Sequence, residues 1–140
     1  MSKTEEDWKA KLTSEQFHIL REKGTEIPFT GKLLNNKETG KYTCAGCGTE
    51  LFSSETKFDS HCGWPSFFEA NKNVGHREDN GYGMNRIEVF CKKCNGHLGH
   101  VFDDGPQPTG KRYCINSLAL GFQKEKLKIL KLIINGFIFA

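Results

Sequence analysis

The distribution of apolar positions divides the chain into a helical start and a long region of short strands. Thr13-Ser14-Glu15-Gln16 has the form of a capping box, with Thr13 as N-cap and Gln16 reaching back to it. Phe17, Ile19 and Leu20 supply an apolar stripe at helical spacing, and Gly24 is the expected stop. Glu5 to Leu12 is a second short helical segment, anchored by Trp8. From Thr25 the texture changes. Pro28, Gly31, Asn35-Asn36, Thr39-Gly40, Gly46, Gly48, Asn80-Gly81, Asn95-Gly96 and Asp104-Gly105-Pro106 break the chain at short intervals. Between the breaks lie strand-like pieces: Lys41-Tyr42-Thr43, Asn85 to Phe90 with Ile87 and Val89 on one face, Leu98 to Phe102, and Tyr113 to Phe122. Many short strands with glycine-rich turns predict a mainly β, antiparallel fold, with helices confined to the N-terminus.

The end of the chain differs again. Lys124 to Ala140 (KEKLKILKLIINGFIFA) is lysine-rich and then almost wholly apolar. Its apolar run is far shorter than the roughly 20 residues that span a bilayer. The organisation expected is one domain over 5–124 and an apolar C-terminal extension over 125–140 of unassigned role. Met1 to Gln16 is polar, without the apolar core of a secretory leader, so a reducing compartment, the cytoplasm, is the expected location.

Composition narrows the class. The chain has 140 residues, 36% hydrophobic and 26% charged, which suits one globular domain with a real core. The net charge of +3 names no polyanionic partner, and no basic stripe interleaved with aromatics supports nucleic-acid binding. The informative number is six cysteines. In a reducing compartment, paired cysteines indicate metal binding or redox catalysis rather than permanent staples.

Four of them form two CxxC units, Cys44-Ala45-Gly46-Cys47 and Cys91-Lys92-Lys93-Cys94. Each such turn converges two thiolates on one ion, and Gly48 and Asn95-Gly96 permit the left-handed backbone these turns need. Two turns make a closed tetrahedron of thiolates, the usual structural Zn²⁺ site. Iron in a rubredoxin-like site is a weaker variant of the same geometry. Cys62 and Cys114 belong to no CxxC. They sit in polar-aromatic clusters, Ser60 to Phe68 and Lys111 to Ser117, and a third cluster runs from His97 to Asp104. A positive charge at Arg112 can favour a thiolate at Cys114. His97 and His100 can supply protons, form a satisfied structural pair, or add metal ligands. A zinc-stapled binding module without catalysis is the competing class, though it has no need of two lone cysteines in such settings.

From Trp8 to Phe122 the chain resembles the methionine-R-sulfoxide reductases of the B type. The resemblance rests on Gly24-Thr25-Glu26, Pro28-Phe29-Thr30-Gly31, both CxxC pairs, CGWPSF at 62–67, HLGHVFDDGP at 97–106 and GKRYCINS at 110–117. It implies two antiparallel β-sheets with short N-terminal helices, in a β-tent-like fold stapled by one zinc ion on Cys44, Cys47, Cys91 and Cys94. It implies Cys114 as nucleophile and Cys62 as the resolving thiol, with thioredoxin reducing the disulfide between them. His100, His97 and Asn116 are then the polar residues around the sulfoxide oxygen, His100 foremost as proton donor. Arg112 and Asp104 support and charge-tune that cluster, and Trp64 with Phe102 forms the apolar wall. The expected substrate is methionine-R-sulfoxide in oxidised proteins, and the expected state a monomer without nucleic acid or membrane span. His61 departs from the family pattern, where glycine is common, and so does the apolar extension.

Overall fold

The computed structural model describes residues 4–125; residues 126–140, nearly all of the apolar extension, lie outside the described residues. Two capped helices open the chain. Helix α1 (Glu5–Lys11) starts at Thr4, which exchanges hydrogen bonds with Asp7. Helix α2 (Ser14–Glu22) starts at Thr13, whose side chain accepts from the Gln16 N–H at 3.1 Å while Gln16 accepts from the Thr13 N–H at 3.0 Å. Trp8, Phe17, Ile19 and Leu20 are all buried, as the stripe requires. The helix stop differs in one respect. Lys23, not Gly24, adopts the left-handed conformation, at φ 58°. At Gly24 a Cβ would lie 2.3 Å from the ring of the exposed His18, which would have to turn aside.

Among the described residues nine strands follow, all paired antiparallel. They are β1 (Gly40–Cys44), β2 (Glu50–Ser53), β3 (Lys57–Phe58), β4 (Ser66–Phe67), β5 (Val74–Asp79), β6 (Arg86–Cys91), β7 (His97–Phe102), β8 (Arg112–Ile115) and β9 (Leu120–Lys124). A three-stranded sheet has the order β2-β1-β9 and a six-stranded sheet the order β3-β4-β8-β7-β6-β5. The two sheets with N-terminal helices match the expected fold class. Phe52 from one sheet stacks on Phe67 from the other at 4.3 Å between centroids, and Tyr42 meets Phe67 edge-on at 5.0 Å. All three rings are almost wholly buried, so this aromatic layer is the seam between the sheets.

The stretch Tyr113 to Phe122, expected as one strand, is two strands in different sheets. A short 3₁₀ turn (Ser117–Ala119) carries the chain from β8 to β9. Asn116 makes the break. Its N–H and its side-chain Nδ2 both donate to the Leu98 carbonyl at 2.9 Å, and its Oδ1 accepts from the Glu26 N–H at 2.9 Å. Helix α2 packs against β7 and this turn. Among the described residues no helix is long and apolar enough to cross a membrane.

Candidate active site

Strand register assembles the site. Cys114 on β8 lies directly opposite Ser66 on β4 and His100 on β7. Residues opposite one another in an antiparallel ladder share a face, so the three side chains emerge together. The sheet is drawn tight here by Gly99, where a Cβ would sit 2.0 Å from the Cys114 carbonyl oxygen.

Cys62 arrives from the loop before β4. Its Sγ is 2.9 Å from Cys114 Sγ and 3.4 Å from Ser66 Oγ, and both thiols are free. The loop is shaped by left-handed residues on either side of it, His61 at φ 62° and Gly63 at φ 98°. At the first position a residue with a Cβ, here His61, takes that conformation only at a cost of about 1 kcal/mol. The imidazole of His61 is mostly exposed, 3.5 Å from Asp59.

Electrostatics focus on the same pair. Arg112 donates from Nη1 to Cys114 Sγ at 2.7 Å, while its Nε and Nη2 fork onto Asp104 at 2.8 and 3.0 Å. Its guanidinium lies over the Phe102 ring, 4.5 Å from the centroid. Two thiolates at the Cys62–Cys114 distance repel strongly, so the pair carries one negative charge and one shared proton. With the proton on Cys114, the hydrogen bond it donates holds Cys62 down at about 4, against burial and with help from Ser60 and Ser66. The same bond and burial push Cys114 up. Arg112 breaks the symmetry, because it touches Cys114. When the proton passes to Cys62, the charge on Cys114 faces a permanent cation.

Two histidine–carboxylate pairs stand beside the thiols. His97 meets Glu88 through Nδ1 at 2.8 Å, and His100 meets Asp79 through Nε2 at 2.7 Å. Residues three apart on a regular strand point to opposite faces. Here the register of β6 and β7 slips between Val89↔Gly99 and Phe90↔His97, leaving Leu98 as an extra residue. That bulge resets the alternation, and the two rings pack edge-on with centroids 5.5 Å apart. The bond from His100 holds the Asp79 carboxyl down at about 2, helped by the Gly81 N–H. Burial pushes His97 below the ordinary histidine range, outweighing the opposing pull of Glu88.

Of the residues expected at the site, Cys62, Cys114, Arg112, Asp104 and Phe102 form one connected cluster. His97 and His100 form a second, with His100 facing Cys114 across the ladder. Trp64 and Asn116 are joined through Glu26, whose carbonyl accepts from Trp64 Nε1 at 3.1 Å and whose N–H donates to Asn116. Sequence reasoning missed the partners: Glu88, Asp79, Ser66, and Glu26 as an anchor. Glu88 falls on the polar phase of NRIEVF and reads as a solvent-facing residue, yet it is 1% exposed. A shallow groove of about 570 Å³, lined by Phe58, Ser60, Cys62, Asp104, Pro106 and Arg112, opens on the Cys62 side.

The other four cysteines lie apart from these. Cys44 ends β1 and Cys91 ends β6, so each CxxC turn closes a strand of a different sheet. Gly48 at φ 79° and Asn95 at φ 65° take the left-handed positions expected of them. The four sulfurs lie within 4.8 Å of one another, with Cys44–Cys94 and Cys47–Cys91 both at 3.6 Å. A tetrahedral ion with bonds of about 2.3 Å sets its sulfurs about 3.8 Å apart, so the cluster fits a metal ion. The helices brace it. Arg21 donates to the Cys94 carbonyl at 2.8 Å, and Trp8 packs on Gly46.

A half-buried pair of thiols in contact, beside a guanidinium and two imidazoles, in a fold with a separate thiol cluster, is the layout of a thiol-dependent oxidoreductase. Residues 12–124 match the SelR domain. The chain is 62% identical over 128 residues to the peptide methionine sulfoxide reductase MsrB of Methanosarcina mazei, covering 90% of this chain and 91% of that one. It is 58% identical over 127 residues to the enzyme of the same name from Leptospira interrogans, covering 89% and 97%. To the rat mitochondrial methionine-R-sulfoxide reductase B2 it is 53% identical over 135 residues, covering 90% and 78%. The chain belongs to the MsrB family of peptide-methionine (R)-S-oxide reductases.

Proposed function

We propose that this chain reduces methionine-R-sulfoxide in oxidised proteins to methionine, with Cys114 as nucleophile and Cys62 as resolving thiol. The observation that carries the assignment is the position of Cys114 Sγ, 2.7 Å from Arg112 and 2.9 Å from Cys62. The Cys114 thiolate attacks the sulfoxide sulfur. The sulfoxide oxygen takes up a proton and passes to Cys114, giving a sulfenic acid and a restored methionine side chain. Cys62 then attacks the sulfenic sulfur, water leaves, and a Cys62–Cys114 disulfide remains. A dithiol protein, thioredoxin, returns both thiols by exchange. The groove on the Cys62 side offers an approach to that bond.

His100 donates the proton from Nδ1 of its imidazolium form, since it faces Cys114 and its Nε2–H is already engaged by Asp79. His97 packs on it, and Asn116 has one Nδ2 hydrogen beyond the bond to Leu98 for the oxygen side of the substrate. Trp64, half-buried and tethered by its indole N–H, supplies the apolar wall for the methyl group, with Phe102 nearby. Arg112 and Asp104 tune and support the nucleophile. Donors on one side and an aromatic wall on the other make the pocket chiral, which selects one epimer.

Cys44, Cys47, Cys91 and Cys94 hold one Zn²⁺, whose closed thiolate set suits a structural ion with no position for substrate. Residues 5–124 form the catalytic domain and 125–140 an accessory extension. The chain acts as a monomer in this reading. The need for reduced thiols suits the cytoplasm.

The test is turnover of each epimer of a methionine sulfoxide peptide with dithiothreitol and with thioredoxin. Reduction of the R epimer alone, lost in Cys114→Ser, is expected. Turnover that survives in Cys114→Ser overturns the assignment.

A further inference from the structure

We propose that Glu88 is a positioning residue for the reaction: it accepts from His97 Nδ1–H, fixes the ring, and leaves Nε2 as an acceptor beside His100. The proposal rests on the functional reading above and adds a residue and a direction of hydrogen bonding to it.

Glu88 lies in the middle of β6 and is 1% exposed. A carboxylate that deep persists only when paired and hydrogen-bonded. Arg77, opposite it in the β5–β6 register, forks onto both oxygens at 2.8 and 3.1 Å. Lys23 Nζ approaches to 3.3 Å. Arg77 is itself held by Asn95 at 3.0 Å and stacks over the Phe90 ring at 4.1 Å. Two permanent cations therefore neutralise Glu88 without any charge on the histidine. The hydrogen bonds from Arg77 and His97 overcome burial and hold Glu88 at about 2.

A carboxylate only accepts, so the 2.8 Å contact places a hydrogen on His97 Nδ1. Burial disfavours the imidazolium, so the ring is neutral and Nε2 bears a lone pair. Nε2 is buried and, among the described residues, has no hydrogen-bond partner. The Arg77–Glu88 pair needs no histidine to complete it, and an unpaired buried nitrogen is unfavourable. The arrangement makes sense if Nε2 is completed by a donor that enters with substrate. His100 is pinned the opposite way, through Nε2, by an Asp79 that is partly open to solvent. The two adjacent imidazoles therefore present different nitrogens. His97 accepts, and the proton for the sulfoxide oxygen comes from elsewhere, in our reading from His100.

The experiment is ¹⁵N NMR of the histidine rings in the full metal-loaded chain, together with the single-turnover rate of Cys114 oxidation by an R-sulfoxide peptide. In the wild type, His97 should show a protonated Nδ1 and an unprotonated Nε2. In Glu88→Gln the amide can donate to Nδ1, so a protonated Nε2 should appear and the rate should fall about 10–100-fold, the order found when a metal-bound histidine loses its orienting partner. A wild-type His97 protonated on Nε2 overturns the proposal, even if Glu88→Gln does not fold. So does a folded Glu88→Gln with an unchanged tautomer, or with a changed tautomer and an unchanged rate. Failure of the wild type to reduce R-sulfoxide strikes the functional reading instead, because the tautomer is read without turnover.

Discussion

Arg112 reaches the sulfur of Cys114 from two positions earlier on the same strand, at 2.7 Å. The two-residue period of β8 puts both side chains on one face, and Asp104 holds the rest of the guanidinium away from solvent motion. A cation in contact with a thiolate commonly lowers its pKa by about 1–3 units. Arg112→Gln in a Cys62→Ser background, where one reactive thiol titrates alone, should raise the Cys114 pKa by that order. Iodoacetamide alkylation rate against pH measures it. An unchanged midpoint refutes the charge-tuning role.

Arg112→Lys keeps the charge and loses the fork onto Asp104. It should recover the thiol pKa largely but leave the substrate-reduction rate below wild type. Rapid-mixing measurement of the sulfenic acid step separates the two effects, and full recovery of both would show that Asp104 orients nothing.

Cys62→Ser should reduce one equivalent of R-sulfoxide per chain and then stall with thioredoxin, because a sulfenic acid on Cys114 has no partner at 2.9 Å to attack it. Product counting in a single-turnover format reads the stoichiometry. Sustained thioredoxin-dependent turnover in this variant excludes Cys62 as resolving thiol.

Cys91→Ser should release the metal and lower the melting temperature sharply, since the cluster joins the ends of β1 and β6. Metal analysis beside a thermal melt tests it. A variant that keeps its ion, or loses it with no change in melting, argues against a structural metal.

Acid should weaken the fold through Glu88. Its carboxyl is held at about 2, below its ordinary value of 4.5, so the unfolded chain binds more protons between those limits. This contribution is fully present above about pH 4.5 and is lost as pH falls toward 2, on the order of 3 kcal/mol in all. Denaturant melts from pH 7 to pH 3 should show the loss, and Glu88→Gln should flatten the slope.

The parts legible in the sequence were those with local causes. The Thr13–Gln16 capping box, the buried face of α2, and the left-handed Gly48 and Asn95 of the CxxC turns follow from residues a few positions apart. The cysteine spacing alone led to the four-sulfur cluster. What escaped depends on distant packing. Ile87 is on the expected face with Val89, yet it is 39% exposed because it lies near the free end of β6, while Glu88 on the supposed solvent face is covered. The strands β2 to β5 have too few residues, or too mixed a pattern, to announce themselves. The break at Asn116 depends on bonds to Leu98 and Glu26, neither visible from the run of apolar residues around it. Asp79 and Glu88 became site residues only when β5 and β6 were folded beside β7.

The separation of the two cysteine groups has a consequence for the chemistry of repeated oxidation. A protein that forms and opens a disulfide at every cycle exposes its other thiols to capture by the same exchange. In the proposed cycle, with an ion in place, the four thiolates at the strand ends would be occupied as ligands, and thiol–disulfide exchange would be confined to two sulfurs already in contact. The metal then acts as a protecting group. Its value lies in the mispaired disulfides it prevents as much as in the sheets it joins.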